Sequence, residues 1–472
     1  MRQLKLWAAL GLFMIYGLFT ATNVQAMSTL IPGAHSVEVK AYDDLTTNND
    51  EIGQAFLGAM SADSRNLRDW DENGNPSKPS WLIPQDKVPG LQITGMFDDS
   101  HFVIRIPDKW NGKLVVGAAG GTGSELSADE RLSDFVLTRF DANGASYAYA
   151  YTDKGTRGET IPGPDGTIHK NSKTRTAFLH PQDSIEEWNM RMKQLTIATK
   201  DLLSQLKGNH PSRTYISGTS NGGYVTRYAL ENSGDLYDGG LDWEGVLWNT
   251  QINNISIKVE ELRNWKILQD QNASAEEKKL ARERYGFPPE SDFLMIKQYR
   301  NGRALSPDSL RMKYDPTYIH RDWWEYGSHP EDYDNYNWQD RPQEVKQNVA
   351  SISLSGKIQK PLISLAGTWD VQINPRYNAI GYDEMIKTNG KGDMHRLYMI
   401  ERANHVDGIV GNPKIDKDKL LQPILPYYHQ AFDLLIDWVE NGNSPPDSKT
   451  IGVPASGDKA ISITTGEEID RY

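Results

Sequence analysis

Apolar positions along the chain fall into short runs that alternate with longer stretches spaced three and four residues apart. Residues 37–41, 91–97, 101–106, 113–116 and 146–151 are short runs, the last two with Gly or Asp close to either end, and each predicts a strand. The pair 91–97 and 101–106, joined by Asp98, Asp99 and Ser100, predicts an antiparallel hairpin. Residues 182–206 carry Ile185, Trp188, Met192, Leu195, Ile197, Leu202 and Leu203 at helical spacing. Residues 213–217 predict a strand running into a helix, and 245–248 predict a further strand. Towards the end, strands at 361–366 and 395–400 alternate with helices at 375–387 and 420–439. Strands alternating with helices predict an α/β fold, a mostly parallel sheet flanked by helices.

The pattern breaks between residues 251 and 350. This stretch is polar and charged, with one amphipathic piece at 276–284, and then becomes aromatic: YIHRDWWEYGSHPEDYDNYNW spans 318–338. A structureless loop of that length inside a compact domain is improbable on physical grounds, so the stretch predicts an inserted cap. The chain then divides into 27–250 and 351–472, two parts of one core, with 251–350 between them.

Three bulk features narrow the function. Arg2 and Lys5 precede an apolar stretch from residue 6 to about residue 20, and Val24-Gln25-Ala26 resembles a small-residue cleavage site. Residues 1–26 therefore predict a removed signal peptide and export to the periplasm or the exterior, with a membrane anchor as the alternative. The apolar run is short for a bilayer span, so no stable anchor is expected after processing. None of the 472 residues is cysteine, which excludes disulfides, thiolate metal sites and cysteine nucleophiles. The formal net charge of -12 disfavours nucleic acid as a partner and fits a soluble surface.

The chemistry centres on YISGTSNGGYV, residues 215–225. Gly218-Thr219-Ser220-Asn221-Gly222 fits G-x-S-x-G between a predicted strand and a predicted helix. A serine on that turn is lifted out of the sheet, and the flanking glycines leave room where backbone comes close. An alkyl hydroxyl needs a base, and the base needs an orienting carboxylate. Both belong on turns after later strands, in the order Ser, acid, His. The strand at 361–366 runs into GTWDVQINP, placing Asp370 four residues beyond it. The strand at 395–400 runs into ERANHVDG, placing His405 in the next loop. His395 begins a strand, at the wrong end of the sheet, His429 lies in a helical pattern, and His180 heads a helix as a loop histidine. Asp407 is too near His405 to come from another strand end, and Asp383 and Glu384 lie in a helix.

An oxyanion needs backbone donors. The loop GAAGGTG at 117–123 follows the strand at 113–116, so Gly120 and Gly121, with the N–H of Asn221, are the expected donors. A dinucleotide loop is the rival, but the third glycine of that fingerprint would stand at position 126, which is Leu126. No cofactor is expected, and no metal: Asp332, Asp334 and Asp340 could hold calcium, but Asn337 occupies the position where a calcium loop needs glycine, and a solvated acidic loop is the alternative. Trp323, Trp324, Tyr326, Tyr333, Tyr336 and Trp338 have two readings. They form the cap's own core, or some, Trp323, Trp324 and Trp338 first, hold a flat or oligomeric substrate.

With these motifs, GTSNG at 218–222, GTWD at 367–370 and ANHVDG at 403–408, the chain resembles the α/β-hydrolase superfamily. IPDKWNGKLVV (106–116), AYTDKG (150–155) and LYDGGLDWEG (236–245) look like exported bacterial esterases related to tannases, feruloyl esterases and hydroxybutyrate-oligomer hydrolases. The resemblance implies hydrolysis of carboxylic esters, aromatic or hydroxyalkanoate among them, through an acyl-enzyme and without a cofactor. Tannases and feruloyl esterases typically join a cysteine beside the serine to one beside the histidine; here those neighbours are Thr219 and Val406. A serine peptidase and a non-catalytic binding protein on the same scaffold remain alternatives at this point.

Overall fold

Successive strand residues point to opposite faces, so a strand apolar at every position needs cover on both sides. The computed structural model, which describes residues 31–59, 66–157, 161–168, 178–180, 182–300, 307–326 and 328–471, provides that cover. The expectation of a leader at 1–26 lies outside the described residues. Ten strands form one sheet: β1 (Ala34–Tyr42), β2 (Gly90–Phe97), β3 (Ser100–Pro107), β4 (Trp110–Ala118), β5 (Ser146–Thr152), β6 (Arg213–Thr219), β7 (Gly239–Trp243), β8 (Leu362–Gly367), β9 (His395–Ile400) and β10 (Lys449–Ile451). The order across the sheet is β1-β2-β3-β5-β4-β6-β7-β8-β9-β10. The first three strands run antiparallel, as does β3 against β5, and from β5 to β10 every pairing is parallel.

Helices α1 (Ile185–Lys207) and α2 (Asn221–Asn232) lie on one face, and α8 (Leu425–Asn441) lies on the other. Leu114 and Val116 of β4 pack with Ile185, Met192 and Leu195 of α1, whereas Val115 between them packs with the cluster that holds Phe432 and Leu435 of α8. The run KLVV is continuous because both faces are covered. Ser184 caps α1 by accepting the N–H of Glu187 at 3.1 Å, and Gly208 ends it in the left-handed conformation. A mostly parallel sheet of this order, helices on both faces and a strand–serine–helix turn after β6 make this an α/β-hydrolase fold.

Between the neighbouring strands β7 and β8 the chain runs through more than a hundred residues, whose described part carries a series of helices. They include α3 (Asn254–Gln269), α4 (Ala275–Tyr285), α5 (Pro307–Tyr314) and α6 (Gln343–Ala350). After β8 comes α7 (Ala379–Thr388).

The strand expected at 245–248 is not there. β7 ends at Trp243, Glu244 turns the chain with φ +55°, and Val246, Leu247 and Trp248 are buried without strand pairing. Their apolar run records burial, which periodicity does not separate from pairing in so short a segment. A helix at Asp50–Ala59 was not expected in the turn-rich first part. No described helix is long and apolar enough to cross a membrane.

His429 of α8 stacks on Phe135 with ring centroids 3.8 Å apart, and its Nε2 lies 3.0 Å from the carbonyl oxygen of Arg131. Burial pushes its pKa down to about 3, so in the fold it is a neutral donor. An unfolded histidine takes up its proton near pH ~6.5. Between the two values the unfolded chain binds more protons. The stability contributed by neutral His429 is therefore complete above about pH 6.5 and is lost as pH falls towards 3. His429→Gln, which keeps an N–H donor, should flatten the fall of unfolding free energy between about pH 6.5 and 4, by up to ~1.4 kcal/mol per pH unit. Equal slopes for the two proteins would contradict this role.

Candidate active site

Parallel register sets the strand ends level: Thr219 of β6 pairs with Trp243 of β7, Trp243 with Leu365 of β8, and Gly367 of β8 with Ile400 of β9. The turns after these strands therefore meet at the carboxyl edge of the sheet, where open α/β folds carry their sites.

The turn after β6 is the tightest. Ser220 holds φ +60° and ψ -117°, a conformation costly for any residue with a side chain. It is over-determined by its neighbours. A Cβ on Gly218 would lie 2.4 Å from the carbonyl carbon of Gly222, and one on Gly222 would lie 2.1 Å from the carbonyl oxygen of Ala118. Both glycines of G-x-S-x-G are thus required by close backbone approach. The Ser220 N–H donates to Trp243 O at 2.8 Å, and its carbonyl accepts the first intrahelical bond of α2, from Tyr224, at 3.0 Å. The N–H of Asn221 precedes that first bond and stays free of the helix ladder.

Asp370 and His405 come together at this edge. His405 Nδ1 lies 2.7 Å from Asp370 Oδ2, and both side chains are buried. The other oxygen, Oδ1, accepts the N–H groups of Gln372 and Ile373, each at 2.8 Å. Burial pushes the Asp370 carboxyl up, but the adjacent His405 and these hydrogen bonds more than offset it and hold it below its ordinary range. The two loops are pinned to each other: Trp369 N–H donates to Ala403 O at 2.9 Å, and a Cβ on Gly367 would lie 2.2 Å from the same oxygen.

Ser220 sits at the same edge, 6% exposed, and its hydroxyl makes no hydrogen bond to His405 or to any other described residue. Trp243 connects the two. Its carbonyl accepts from Ser220 N–H and its indole Nε1–H donates to His405 O at 3.2 Å. Gly120 and Gly121 are part-exposed, and Gly120 lies beside the serine: a Cβ on it would lie 3.6 Å from that of Ser220. Gly121 takes φ +52°, and its carbonyl accepts Lys154 Nζ at 2.7 Å, which anchors this loop.

The competing residues are occupied elsewhere. Asp407 accepts the N–H groups of Ile424 and Leu425 at 2.8 Å, with its pKa pushed up to about 7 by burial, and serves the start of α8. His395 joins Ser364 and Asp383 at 2.9 Å each, a serine–histidine–aspartate chain buried in the core, with the Ser364 hydroxyl donating to Asp242 at 2.5 Å. His180 is exposed. Asp332 pairs with Arg321, Asp334 with Lys266, and Asp340 accepts from Asn337, so the three acids of the aromatic stretch do not converge. Trp338 is 4% exposed and donates its Nε1–H to Thr250 O at 2.8 Å, and Tyr333 and Tyr336 are buried with it: these rings are core. Trp323 and Trp324 are only half-buried and pack edge to face, with centroids 5.8 Å apart.

Trp243, Lys154 and Glu244 were missed. Glu244 follows β7 directly, as Ser220 follows β6, and its Oε1 accepts the N–H of Gly367. Placing the strand at GGLDW instead of six residues later would have put Trp243 and Glu244 at a strand end in the sequence itself.

No family model matches the chain, and no curated protein matches it. Among solved structures it is similar to an esterase from Aspergillus oryzae, with 11% identity over 90% of each chain and a TM-score of 0.48. It is similar to feruloyl esterase B from Aspergillus oryzae, with 12% identity over 95% of this chain and 93% of that one and a TM-score of 0.47. Tannin acyl hydrolase from Aspergillus niger shares 14% identity over 96% of this chain and 91% of that one, with a TM-score of 0.48. Similarity at this level carries no residue's role across, and strand order and turn geometry define the fold.

Trp243→Phe tests the tie between the two turns. It keeps a buried ring and removes one donor, so it should cost about 0.5–1.5 kcal/mol in denaturant unfolding. A variant as stable as the parent would mean the indole bond holds nothing.

Proposed function

We propose that this chain is an exported serine hydrolase of carboxylic esters. The observation that carries the reading is the buried His405–Asp370 pair, 2.7 Å apart, on turns level with a serine held at φ +60°. Ser220 Oγ attacks the ester carbonyl while His405 Nε2 takes its proton, and Asp370 holds Nδ1–H so that Nε2 faces the serine. The negative oxygen of the tetrahedral intermediate is met by the N–H of Asn221 and those of Gly120 and Gly121. His405 returns the proton to the leaving alcohol, and water repeats the sequence to release the acid. The Ser220–His405 hydrogen bond closes in the substrate complex, as such contacts commonly do in enzymes whose free form holds them loosely. Export rests on the basic and apolar pattern of residues 1–26. No cofactor, nucleic acid or lasting membrane anchor enters the scheme.

The segment 251–350 is assigned as the cap, with Trp323 and Trp324 as the faces that hold a planar acyl or alcohol group. Partial exposure supports them over Trp338, whose ring is committed to the core.

A panel of aromatic, hydroxyalkanoate and short aliphatic esters, run beside matched amides, tests the reading. Ser220→Ala should stay folded and lose on the order of 10⁴-fold or more in turnover. Trp324→Ala should raise KM for a bulky aromatic ester far more than for an acetate ester. A folded Ser220→Ala with normal turnover would sink the triad, and amides cleaved faster than esters would make the chain a peptidase.

A further inference from the structure

Glu244 occupies a position that repels an ordinary carboxylate. It is 1% exposed. One of its carboxyl oxygens, one of Asp370 and a ring nitrogen of His405 all lie within 4.8 Å of one another. Oε1 takes the Gly367 N–H, while Oε2 is buried with no hydrogen-bond partner among the described residues. The Asp370 carboxyl is the acid that faces it, with an oxygen within 4.8 Å of a Glu244 carboxyl oxygen. Two carboxylates only accept and repel each other at this range in a buried site, so a proton on one of them both removes the repulsion and lets it donate to the other.

Asp370 is the ionised partner. It already accepts three N–H groups, from His405, Gln372 and Ile373, and a carboxylate has room for about four. Nothing comparable favours charge on Glu244: Arg227, whose Nη1 donates to the carbonyl of the next residue, Gly245, is bound to Asp242 through Nε and Nη2, at 3.0 Å each. Burial and the neighbouring Asp370 push the Glu244 carboxyl well above its ordinary range, and Asp242 adds to this. The backbone points the same way. Glu244 holds φ +55°, which glycine would adopt at less cost, so the side chain has a use that offsets the strain.

We infer that Glu244 is a neutral carboxylic acid whose hydroxyl donates to Asp370, a positioning residue that fixes the carboxylate which in turn orients His405. The inference rests on the triad reading for its consequence, though not for the protonation itself. A metal ion held by the same trio is disfavoured by the hydrogen bond at Nδ1, since a nitrogen carrying a proton is no ligand.

Two measurements on the full chain test it. The first is the infrared difference spectrum of the protein against Glu244→Gln near neutral pH. It should show one protonated-carboxyl C=O band, shifted in heavy water. Asp129, Asp153 and Asp407, whose pKa values burial raises to between about 6 and about 7, cancel in the difference. Absence of that band overturns the inference whatever the activity. The second is kinetic, on a small acetate ester. Glu244→Gln supplies a neutral donor of the same shape and should keep kcat within about threefold, whereas Glu244→Ala should lower kcat about 10- to 100-fold with KM unchanged. An alanine variant with the parental kcat, or a glutamine variant as slow as alanine, overturns the positioning role. So does activity lost to a chelator and restored by a divalent cation, which would make the trio a metal site. A parent protein without esterase activity sinks the triad reading instead, and with it the positioning role, while the infrared band still decides the proton.

Discussion

The site depends on how closely backbone approaches backbone at the carboxyl edge of the sheet. Gly222 lies under the carbonyl of Ala118, Gly218 lies against Gly222, and Gly367 lies under the carbonyl of Ala403. At each contact a single methyl group would have to displace a peptide. That closeness forces Ser220 into its unusual conformation and brings the loop of Gly120 beside it. It also locks the aspartate loop to the histidine loop. Interiors this dense do not absorb such a displacement locally, so the glycines determine the positions of all three side chains.

A second constraint is electrostatic. Asp370 is buried, and a buried carboxylate is tolerated only when hydrogen bonds replace the water it lost. Two backbone N–H groups and His405 supply most of that, and the acid proton of Glu244 completes the shell. The serine and histidine turns also need a tie. Here, with no cysteine, Trp243 provides it through its carbonyl and its indole N–H. An uncharged pair of hydrogen bonds does not depend on redox conditions.

Much of this was legible in the chain itself. The α/β class followed from the alternation of strands and helices, and β1, β2, β3, β4, β5, β6, β8 and β9 each overlap a run read from periodicity. Ser220, Asp370 and His405 stood out because each follows a strand, in the order such a site needs. The misplaced strand at 245–248 shows the limit. A short apolar run signals burial, and burial alone does not distinguish a paired strand from a core-filling turn. That error hid Glu244, whose meaning appears only when β7 ends at Trp243. The aromatic stretch was divisible only in three dimensions. Nothing in its spacing separates the core rings of Tyr333, Tyr336 and Trp338 from the half-buried pair at 323 and 324.

The most direct measurement is covalent labelling with a fluorophosphonate, followed by mapping of the modified peptide. Such a reagent reacts with a serine that a base has activated and ignores an ordinary one. The expected result is a single adduct on Ser220 in the folded protein, lost in His405→Ala. Labelling that spares Ser220, or that persists undiminished without His405, would contradict a serine nucleophile driven by a histidine base.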